Sequence, residues 1–473
     1  MLSNTLEPNR TFIPLLSTVY IQGTNDSDEV IIARAPHGHR EFDERGVELA
    51  WIMNSALYGQ TDAGAIWNKT LNDFTVSEKV GFVRSDADPC LYSKISRGNE
   101  LISMPVYVDD GKIFSDPTPG CRAEVERIKK EYASRFDVQF SKYNPEEAHF
   151  LSKDIVRHDS SRTSLLSVTY IRKLGKDHLK EPLDSYPSAW TYTPASKDLA
   201  SALDESLSKK ETAAASLQEQ YGSLVMAMMY KTGDRPDITT AVCLLSRCMH
   251  YPTLALMKCA TRVLVYLMRN EYLGITYSSA GESARKLRGK VDSNWSSKRS
   301  SSGFVATLAG GCVSNYHRTQ HCIAMSTCEA ELMALAMAAL ELLFLMKALT
   351  SLGYEFEDGY GPELETSNPE VHSIVYRHGP VETDTDSKAA YDLCHRNSAG
   401  QFTRHVERKV FKMRELRGSG KVKLNLIPTA ENWSDMFTKV LDRQAFEKHR
   451  ASVMNLGASS IDWVRKKFAR VDE

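Results

Sequence analysis

Residues 291–295 read Val-Asp-Ser-Asn-Trp, a run with the pattern of a strand that carries a carboxylate, Asp292. Outward from this run, three more acids occupy defined local settings. Glu331 begins Glu-Leu-Met-Ala-Leu, the start of an apolar helix. Asp386 lies where a strand ends, in Thr-Asp-Ser-Lys-Ala-Ala, and Asp435 lies where a late helix starts, in Asn-Trp-Ser-Asp-Met-Phe. The order strand, hairpin, helix, strand, helix predicts an α+β fold with all four acids at one end of a mixed sheet.

These four carboxylates form a candidate metal site. Brought together by folding they would repel one another, so the cluster stays ionised only around divalent cations. Two such cations about 3.5–4 Å apart activate a water and stabilise the leaving oxygen of a phosphodiester. Any one of these acids taken alone is more often a surface charge. The set therefore favours a two-metal nuclease, and no single member does.

A second glutamate, Glu329, competes with Glu331 for the place in this site. The two are close neighbours on one predicted helix, so their side chains point about 200° away from each other. Only one of them can face a shared metal site, and the residues alone leave the choice open.

The bulk composition is that of a globular protein with several domains. At 473 residues, the chain predicts roughly two to four domains of about 100–200 residues each. The net charge of −1 excludes a chain that is basic throughout, yet residues 401–473 hold 16 Lys/Arg against 9 Asp/Glu. Such a basic region either contacts phosphates or forms a solvated helical face, and composition leaves both open.

Cysteine and hydropathy patterns indicate the compartment. Nine cysteines without a Cys-x-x-Cys pair favour a reducing environment and neither zinc nor disulfides. Residues 1–10 lack the pattern of a signal peptide. The apolar tract 332–349 is interrupted by Glu341 and Lys347, which favours a packed helix over a membrane span of about 20 apolar residues. We expect a soluble intracellular protein of the cytoplasm or nucleus, not secreted and without a membrane partner.

The run ISMPVYVDDGKIF at 102–114 predicts a β-hairpin, because an Asp-Gly step between apolar segments favours one. Its tip carries Asp109 and Asp110. Polymerases also use metals held by acids, so these two carboxylates are candidates for binding a metal-bound triphosphate. A plain Asp-Asp-Gly turn is the alternative.

Taken together, the motifs resemble the reverse transcriptase–RNase H portion of a copia-type retrotransposon polyprotein. The resemblance covers roughly residues 15–445. The matching motifs are, in chain order, Ala56-Leu57-Tyr58-Gly59-Gln60 with Trp67, Asp88-Pro89-Cys90-Leu91-Tyr92, Tyr107-Val108-Asp109-Asp110, Arg235-Pro236-Asp237-Ile238, Asp292-Ser293-Asn294-Trp295, Ser302-Gly303-Phe304, Ser326-Thr327-Cys328-Glu329-Ala330-Glu331, Thr385-Asp386-Ser387, Arg404-His405-Val406-Glu407 and Ser434-Asp435-Met436-Phe437-Thr438-Lys439.

The resemblance implies an α+β architecture: a partial right-hand polymerase with palm, thumb and connection, its fingers missing, followed by an RNase H-like mixed five-stranded sheet with flanking helices. The implied domains are a truncated reverse transcriptase palm at 1–155, a mainly helical thumb and connection at 156–280, an RNase H-like domain at 288–445 and a basic C-terminal tail at 446–473.

One departure from the family concerns the polymerase. The family has a further catalytic Asp shortly before the run that here spans Thr18 to Gly23, and Leu15 stands in its place. From the few residues before this point we also expect the fingers region to be missing. We therefore predict that Asp109 and Asp110 do not support DNA synthesis by this chain alone. Protease, integrase and capsid-like segments are absent as well, so we do not expect the chain to drive transposition by itself.

For the nuclease, the resemblance implies catalysis by Asp292, Glu331, Asp386 and Asp435 with two Mg²⁺ (or Mn²⁺) ions. It assigns Asp292 to both ions, Glu331 and Asp386 to the ion on the leaving-group side, and Asp435 to the ion that carries the nucleophilic water. It also favours Glu331 over Glu329, which it leaves on an outer face of the helix.

The expected partner is an RNA–DNA hybrid or another nucleic acid, recognised through 2′-hydroxyl groups of the RNA strand. The resemblance adds His405 as a residue for product release or phosphate orientation, with a loop cap as the alternative. The basic residues Arg404, Arg408 and Lys409 are candidates for nucleic-acid binding. A non-catalytic, nucleic-acid-binding relic of a transposable element is the alternative to an active enzyme.

Overall fold

The fold is given by a computed structural model of the chain. It describes residues 12–13, 32–35, 37–52, 59–96, 98–116, 118–140, 147–281, 284–296, 298–356, 376–396, 407–457, 461, 464–465 and 468, with only the backbone for 12–13, 147, 376–377 and 407–410. The chain divides into two compact units. The first comprises residues 1–145, 347–354 and 365–376, and the second comprises 146–346, 355–364 and 377–473.

The described residues of the first unit form a six-stranded antiparallel sheet, a separate two-stranded sheet and two helices. Its described elements are β1 (Phe12–Ile13), β2 (Ile32–Arg34), β3 (Ala50–Ile52), α1 (Ala63–Thr75), β4 (Val83–Arg84), β5 (Leu91–Ile95), β6 (Leu101–Tyr107), β7 (Asp110–Lys112), β8 (Phe114–Ser115) and α2 (Pro119–Arg135). The main sheet has the order β1-β7-β6-β5-β4, with β8 also paired to β6. Strands β6 and β7 form the hairpin predicted at 102–114, with Tyr107 opposite Asp110, so that prediction is confirmed.

The second unit begins with a small antiparallel sheet and a layer of helices. These elements are β9 (Glu147–Phe150), β10 (Lys153–Arg157), β11 (Arg162–Leu166), α3 (Val168–His178), α4 (Lys197–Lys209), α5 (Ala215–Met229), α6 (Thr239–Ser246), α7 (Leu254–Arg269) and β12 (Ile275–Ser278). The strands pair in the order β12-β11-β10-β9.

The elements that follow carry the acids. They are β13 (Arg288–Asn294), β14 (Ser301–Leu308), β15 (Gly311–Thr319), α8 (Thr327–Thr350), β16 (Tyr354–Phe356), β17 (Tyr376–His378), β18 (Val381–Thr385), α9 (Lys388–His395), α10 (Glu407–Gly418), β19 (Val422–Leu426), a 3-10 turn (Trp433–Phe437) and α11 (Arg443–Met454). Among the described residues, five strands form one sheet in the order β15-β14-β13-β18-β19. Strands β13, β14 and β15 are antiparallel, whereas β18 lies parallel to both β13 and β19. The chain is thus a mixed α+β protein.

Helix α8 is long and apolar enough, by length and composition, to cross a membrane, with a mean hydropathy of 2.0 over its most apolar window. Half of that window is buried inside the protein. Leu335, Leu342 and Met346 are among the side chains that it buries. A core helix passes the same test, and the burial agrees with the packed helix predicted for 332–349.

The C-terminal residues pack more than a basic tail would. Phe446 and Met454 of α11 belong to the large core that also contains Leu264 of α7. Val464 and Phe468 are buried in a second cluster with β10 and β11 side chains. Burial of these apolar side chains stabilises the fold, although the region is rich in basic residues.

A buried charge pair fixes the Arg235-Pro236-Asp237 motif. The Arg235 guanidinium donates two hydrogen bonds to the Asp237 carboxylate, with Nη2 to Oδ2 at 2.7 Å, and neither side chain is exposed. The Tyr266 hydroxyl donates to the same carboxylate at 2.7 Å, and Arg450 of α11 donates to that hydroxyl. The motif therefore joins α11 to the helical layer through hydrogen bonds that leave the buried carboxylate satisfied.

Candidate metal centre

Parallel pairing of β13 and β18 brings Asp292 and Asp386 to one edge of the mixed sheet. Lys290 is the register partner of Asp384, and Lys290 Nζ lies 2.6 Å from Asp384 Oδ2. Asp292 and Asp386 each come two positions later along the parallel strands. Because side chains alternate across a strand, both carboxylates lie on the same face of the sheet as that ion pair, two residues nearer the carboxyl ends of the strands.

Asp435 reaches the same place from the 3-10 turn after β19. Each of Asp292, Asp386 and Asp435 offers one carboxylate oxygen, and these oxygens all lie within 4.8 Å of one another. Asp292 and Asp435 are buried, and Asp386 is half-buried. The structure thus brings together three of the four acids singled out from the sequence within the reach of one cation cluster.

The segment 432–439 organises all three carboxylates. Asn432 Nδ2 donates to Asp386 Oδ1 at 3.1 Å and to the Val291 carbonyl at 2.9 Å. The Thr438 hydroxyl donates to Asp292 Oδ2. Asp435 belongs to the segment itself. One short stretch of chain therefore sets the relative positions of acids that come from three different elements.

Gly303 on β14 lets this segment approach the sheet. It is the register partner of Asp292, and a Cβ at this position would lie 2.6 Å from Thr438 Cγ2 and 2.8 Å from the Phe437 carbonyl carbon. His317 of β15 adds a hydrogen bond between its Nδ1 and the Phe437 oxygen at 2.8 Å. The Ser-Gly-Phe motif therefore has a physical reason, since only glycine leaves room for the turn.

The fourth acid, Glu331, lies beside the cluster. Glu331 Oε1 accepts a hydrogen bond from the backbone N–H of Ser293 at 3.2 Å, and Asp292 and Asp386 are close enough to act on its charge. Glu329 has another role, because its Oε2 accepts from the Met325 N–H at 2.7 Å while its own N–H donates to Ser326 Oγ. Glu329 therefore helps to cap the start of α8 and is buried, whereas the resemblance implies an outer face of the helix for it.

Burial and mutual repulsion raise the pKa values of two carboxyls in this site. The pKa of Asp292 is raised to about 7, first by burial and then by Asp435 and Asp386, while the Thr438 hydrogen bond and Lys439 lower it. The pKa of Glu331 is raised to about 8, again first by burial and then by Asp292 and Asp386, against the bonds from Ser293. In the absence of a cation, these two carboxyls therefore still bind protons near neutral pH.

The oxygen atoms of the site fit a hard divalent cation. Glu331 Oε2 is buried and accepts no hydrogen bond, whereas the buried Asp435 Oδ1 lies 3.0 Å from Lys439 Nζ. A buried carboxylate oxygen without a partner is costly unless a cation compensates it. Mg²⁺ and Mn²⁺ prefer carboxylate oxygens, so the donor set of Asp292, Asp386, Asp435 and Glu331 fits the metals predicted from the sequence.

In the first unit, the candidate polymerase residues Asp109 and Asp110 lie at the tip of the β6–β7 hairpin. The preceding residue, Val108, has a φ of 54°, a left-handed conformation that β-branched residues rarely adopt. Trp67 Nε1 donates to the Val108 carbonyl at 2.7 Å. The tip therefore carries backbone strain next to its two acids, and a residue of a second matching motif holds it in place.

Five predicted residues lie wholly or partly outside the described structure. His405, Arg404 and Leu15 are outside the described residues. Arg408 and Lys409 lie in α10, and only their backbone is described. Three residues that shape the site, Asn432, Thr438 and Gly303, are not predicted as site residues from the sequence. Thr438 directly follows the turn that carries Asp435, but a lone hydroxyl at that spacing does not indicate a metal site.

The chain is similar to proteins of known families. Residues 15–181 match the family of reverse transcriptases (RNA-dependent DNA polymerases). The chain is 27% identical over 441 residues to the retrovirus-related Pol polyprotein from transposon TNT 1-94 of Nicotiana tabacum, covering 91% of this chain and 30% of that protein. It is 24% identical over 449 residues to the corresponding polyprotein from transposon RE1 of Arabidopsis thaliana, covering 93% of this chain and 27% of that protein.

This chain thus spans less than a third of the length of these polyproteins. Among solved structures, the foamy viral protease–reverse transcriptase in complex with RNA/DNA hybrid matches with a TM-score of 0.48 and 10% identity, covering 90% of this chain and 45% of that chain.

Proposed function

We propose that this chain, which belongs to the copia-type retrotransposon reverse transcriptase polyproteins, cleaves the RNA strand of RNA–DNA hybrids at the carboxylate cluster of its second unit. The observation that carries the proposal is the approach of Asp292, Asp386 and Asp435 to within 4.8 Å of one another, with the unpartnered Glu331 Oε2 beside them. The mixed sheet, with three antiparallel strands followed by two parallel ones, supports an RNase H-like fold for residues 288–445.

In this proposal, each residue has a defined task. Asp292, Glu331, Asp386 and Asp435 hold two divalent cations, which supply an activated water and stabilise the leaving oxygen when bound. Asn432 and Thr438 orient Asp386 and Asp292 by hydrogen bonds, so these carboxylates meet the cations without rearranging. The largely buried setting of these carboxylates strengthens the charge interactions at the phosphodiester.

The experiment is cleavage of a labelled RNA–DNA hybrid by the purified chain with Mg²⁺ or Mn²⁺. Asp386→Asn removes a cluster carboxylate, and Asp392→Asn in α9 is the matched control outside the cluster. We expect wild-type and Asp392→Asn to cleave, and Asp386→Asn to lose more rate than the roughly 10–100-fold that the loss of an outer-shell partner of a metal ligand costs. Cleavage without a divalent cation, or equal cleavage by Asp386→Asn, would count against the proposal.

A non-catalytic role in nucleic-acid binding is the second candidate, and the basic excess of residues 401–473 favours it. It predicts binding to the hybrid that weakens as salt rises and that is the same for wild-type and Asp386→Asn, with no cleavage by either. Cleavage by the wild-type chain excludes this role as the whole function.

For the first unit, we propose that the polymerase site does not work in this chain alone. The support is Leu15, which stands where the family has a catalytic Asp and leaves Asp109 and Asp110 as an incomplete ligand set for two metals. The test is primer extension on a homopolymer RNA template with Mg²⁺. We expect no incorporation, and measurable incorporation would contradict the proposal.

A further inference from the structure

Lys439 brings a positive charge to the carboxylate cluster. Its Nζ lies 3.0 Å from Asp435 Oδ1. A lysine ammonium is charged near neutral pH, and this charge also interacts with the carboxylates of Asp292 and Asp386.

The oxygen that faces Lys439 depends on this charge. Asp435 Oδ1 is buried, and only 10% of the Asp435 side chain is exposed. A buried carboxylate oxygen is costly unless a positive charge lies close to it. In the described structure, the Lys439 ammonium supplies it.

A divalent cation at the cluster would use the same oxygen. Mg²⁺ binds carboxylate oxygens at about 2.0–2.1 Å, closer than an ammonium does. Both cations at one oxygen would repel each other strongly at such a separation. The Lys439 side chain is 43% exposed and has a flexible four-carbon stem, so its ammonium can move into solvent.

We infer that Lys439 is a built-in counter-ion of the metal centre: it neutralises the carboxylates before a divalent cation binds and is displaced when the cation arrives. This inference rests on the proposed function, because it takes the cluster to be a divalent-cation site. Lys439 is then a positioning residue that keeps Asp435 in place in the metal-free protein and weakens the affinity for the metal.

The test is calorimetric titration of the full chain with MnCl₂. The variants are Lys439→Met, Lys439→Gln, the charge-conserving Lys439→Arg, and Lys209→Met as a matched control. Lys209 forms an ion pair with Glu205 at the same i,i+4 spacing, with Nζ to Oε1 at 2.7 Å, on helix α4 away from the cluster. Circular dichroism of each variant reports whether it folds, and the Gln variant keeps the test open if the Met variant does not fold.

We expect the Kd for Mn²⁺ to fall about tenfold in Lys439→Met and Lys439→Gln, because a competing positive charge is removed. Lys439→Arg and Lys209→Met should bind within about twofold of wild-type, since both leave the charge at the cluster in place. If the wild-type chain binds Mn²⁺ and both neutral variants bind it equally or more weakly, the inference about Lys439 is overturned and the proposed function is not. Failure of the wild-type chain to bind Mn²⁺ at all would overturn the metal site and with it the proposed function.

Discussion

At the scale of single residues, Val108 holds a conformation that its side chain disfavours. A β-branched residue in the left-handed region costs about 1–2 kcal/mol, whereas asparagine tolerates it. Val108 is partly exposed, at 39%, so little apolar burial is lost on substitution. We expect Val108→Asn to raise the free energy of unfolding by about 1 kcal/mol in urea titration.

The control for this prediction is Val106→Asn, two residues earlier and within strand β6, where the side chain packs against the core of the first unit. That change should lower the free energy of unfolding, because it replaces apolar contacts with a polar group. Equal losses at both positions would mean that the hairpin tip carries no strain.

The charges of Asp292 and Glu331 predict a link between pH and metal binding. Both pKa values are raised in the folded protein, to about 7 and about 8, so these carboxyls keep protons that the unfolded chain releases. The stability that these two protonated carboxyls contribute is complete below about pH 4, the unfolded value, and is lost as pH rises through about 7 to 8. In EDTA, the free energy of unfolding should therefore fall as pH rises from about 4 to about 8.

Mn²⁺ reverses the effect, because its ligands must release their protons to bind it. We expect Mn²⁺ to raise the Tm more at about pH 8 than at about pH 6. The measurement is a thermal melt at both pH values with EDTA or Mn²⁺. The Glu331→Gln variant, which lacks one of the two protons, should show a smaller difference. A rise in Tm that is independent of pH would contradict the assigned charges.

At the scale of elements, the close contact between β14 and the segment 432–439 sets the geometry of the site. A methyl group on Gly303 would meet Thr438 and Phe437 at 2.6–2.9 Å, so the segment has to move. We expect Gly303→Ala to lower the free energy of unfolding by about 1–3 kcal/mol, as overpacking does. The shift should also weaken Mn²⁺ binding, because Thr438 and Asp435 move with the segment.

Gly418→Ala at the end of α10 is the matched control, because a Cβ there meets no heavy atom within 4 Å. Alanine in a helix is favoured over glycine by up to about 1 kcal/mol, so this variant should be neutral or more stable. If Gly303→Ala also leaves stability and metal binding unchanged, the segment does not depend on its approach to β14.

The helices and strands also show which parts of the fold can be predicted from the sequence alone. The Asp-Gly step between two apolar runs predicts the hairpin at 102–114, and the apolar tract at 332–349 predicts the long helix α8. The choice between Glu329 and Glu331 could not follow from helical periodicity, since both side chains are buried in the structure. The two residues differ in their hydrogen bonds: Glu329 accepts one from the Met325 N–H at the start of α8, whereas Glu331 accepts one from the Ser293 N–H on a distant strand.

At the scale of the whole molecule, the contacts that were hardest to predict join residues far apart in the chain. The Thr438 hydroxyl bonds to Asp292, and Asn432 bonds to Asp386. The acids can be predicted from the sequence because each lies in a recognisable strand or helix pattern. That pattern does not indicate which distant polar side chains orient them. The buried positions of Val464 and Phe468 were missed for a similar reason, because net charge dominated the interpretation of that region.

The central claim is that the carboxylate cluster cleaves RNA within a hybrid, and strand-specific cleavage tests it most directly. A hybrid is labelled on the RNA strand in one reaction and on the DNA strand in another, and each is incubated with wild-type, Asp386→Asn or Asp392→Asn protein in Mn²⁺. We predict that wild-type and Asp392→Asn shorten the RNA strand, leave the DNA strand intact, and stop when EDTA is added, while Asp386→Asn cleaves neither strand. RNA cleavage that persists in Asp386→Asn, or an intact RNA strand with the wild-type chain, would contradict the claim.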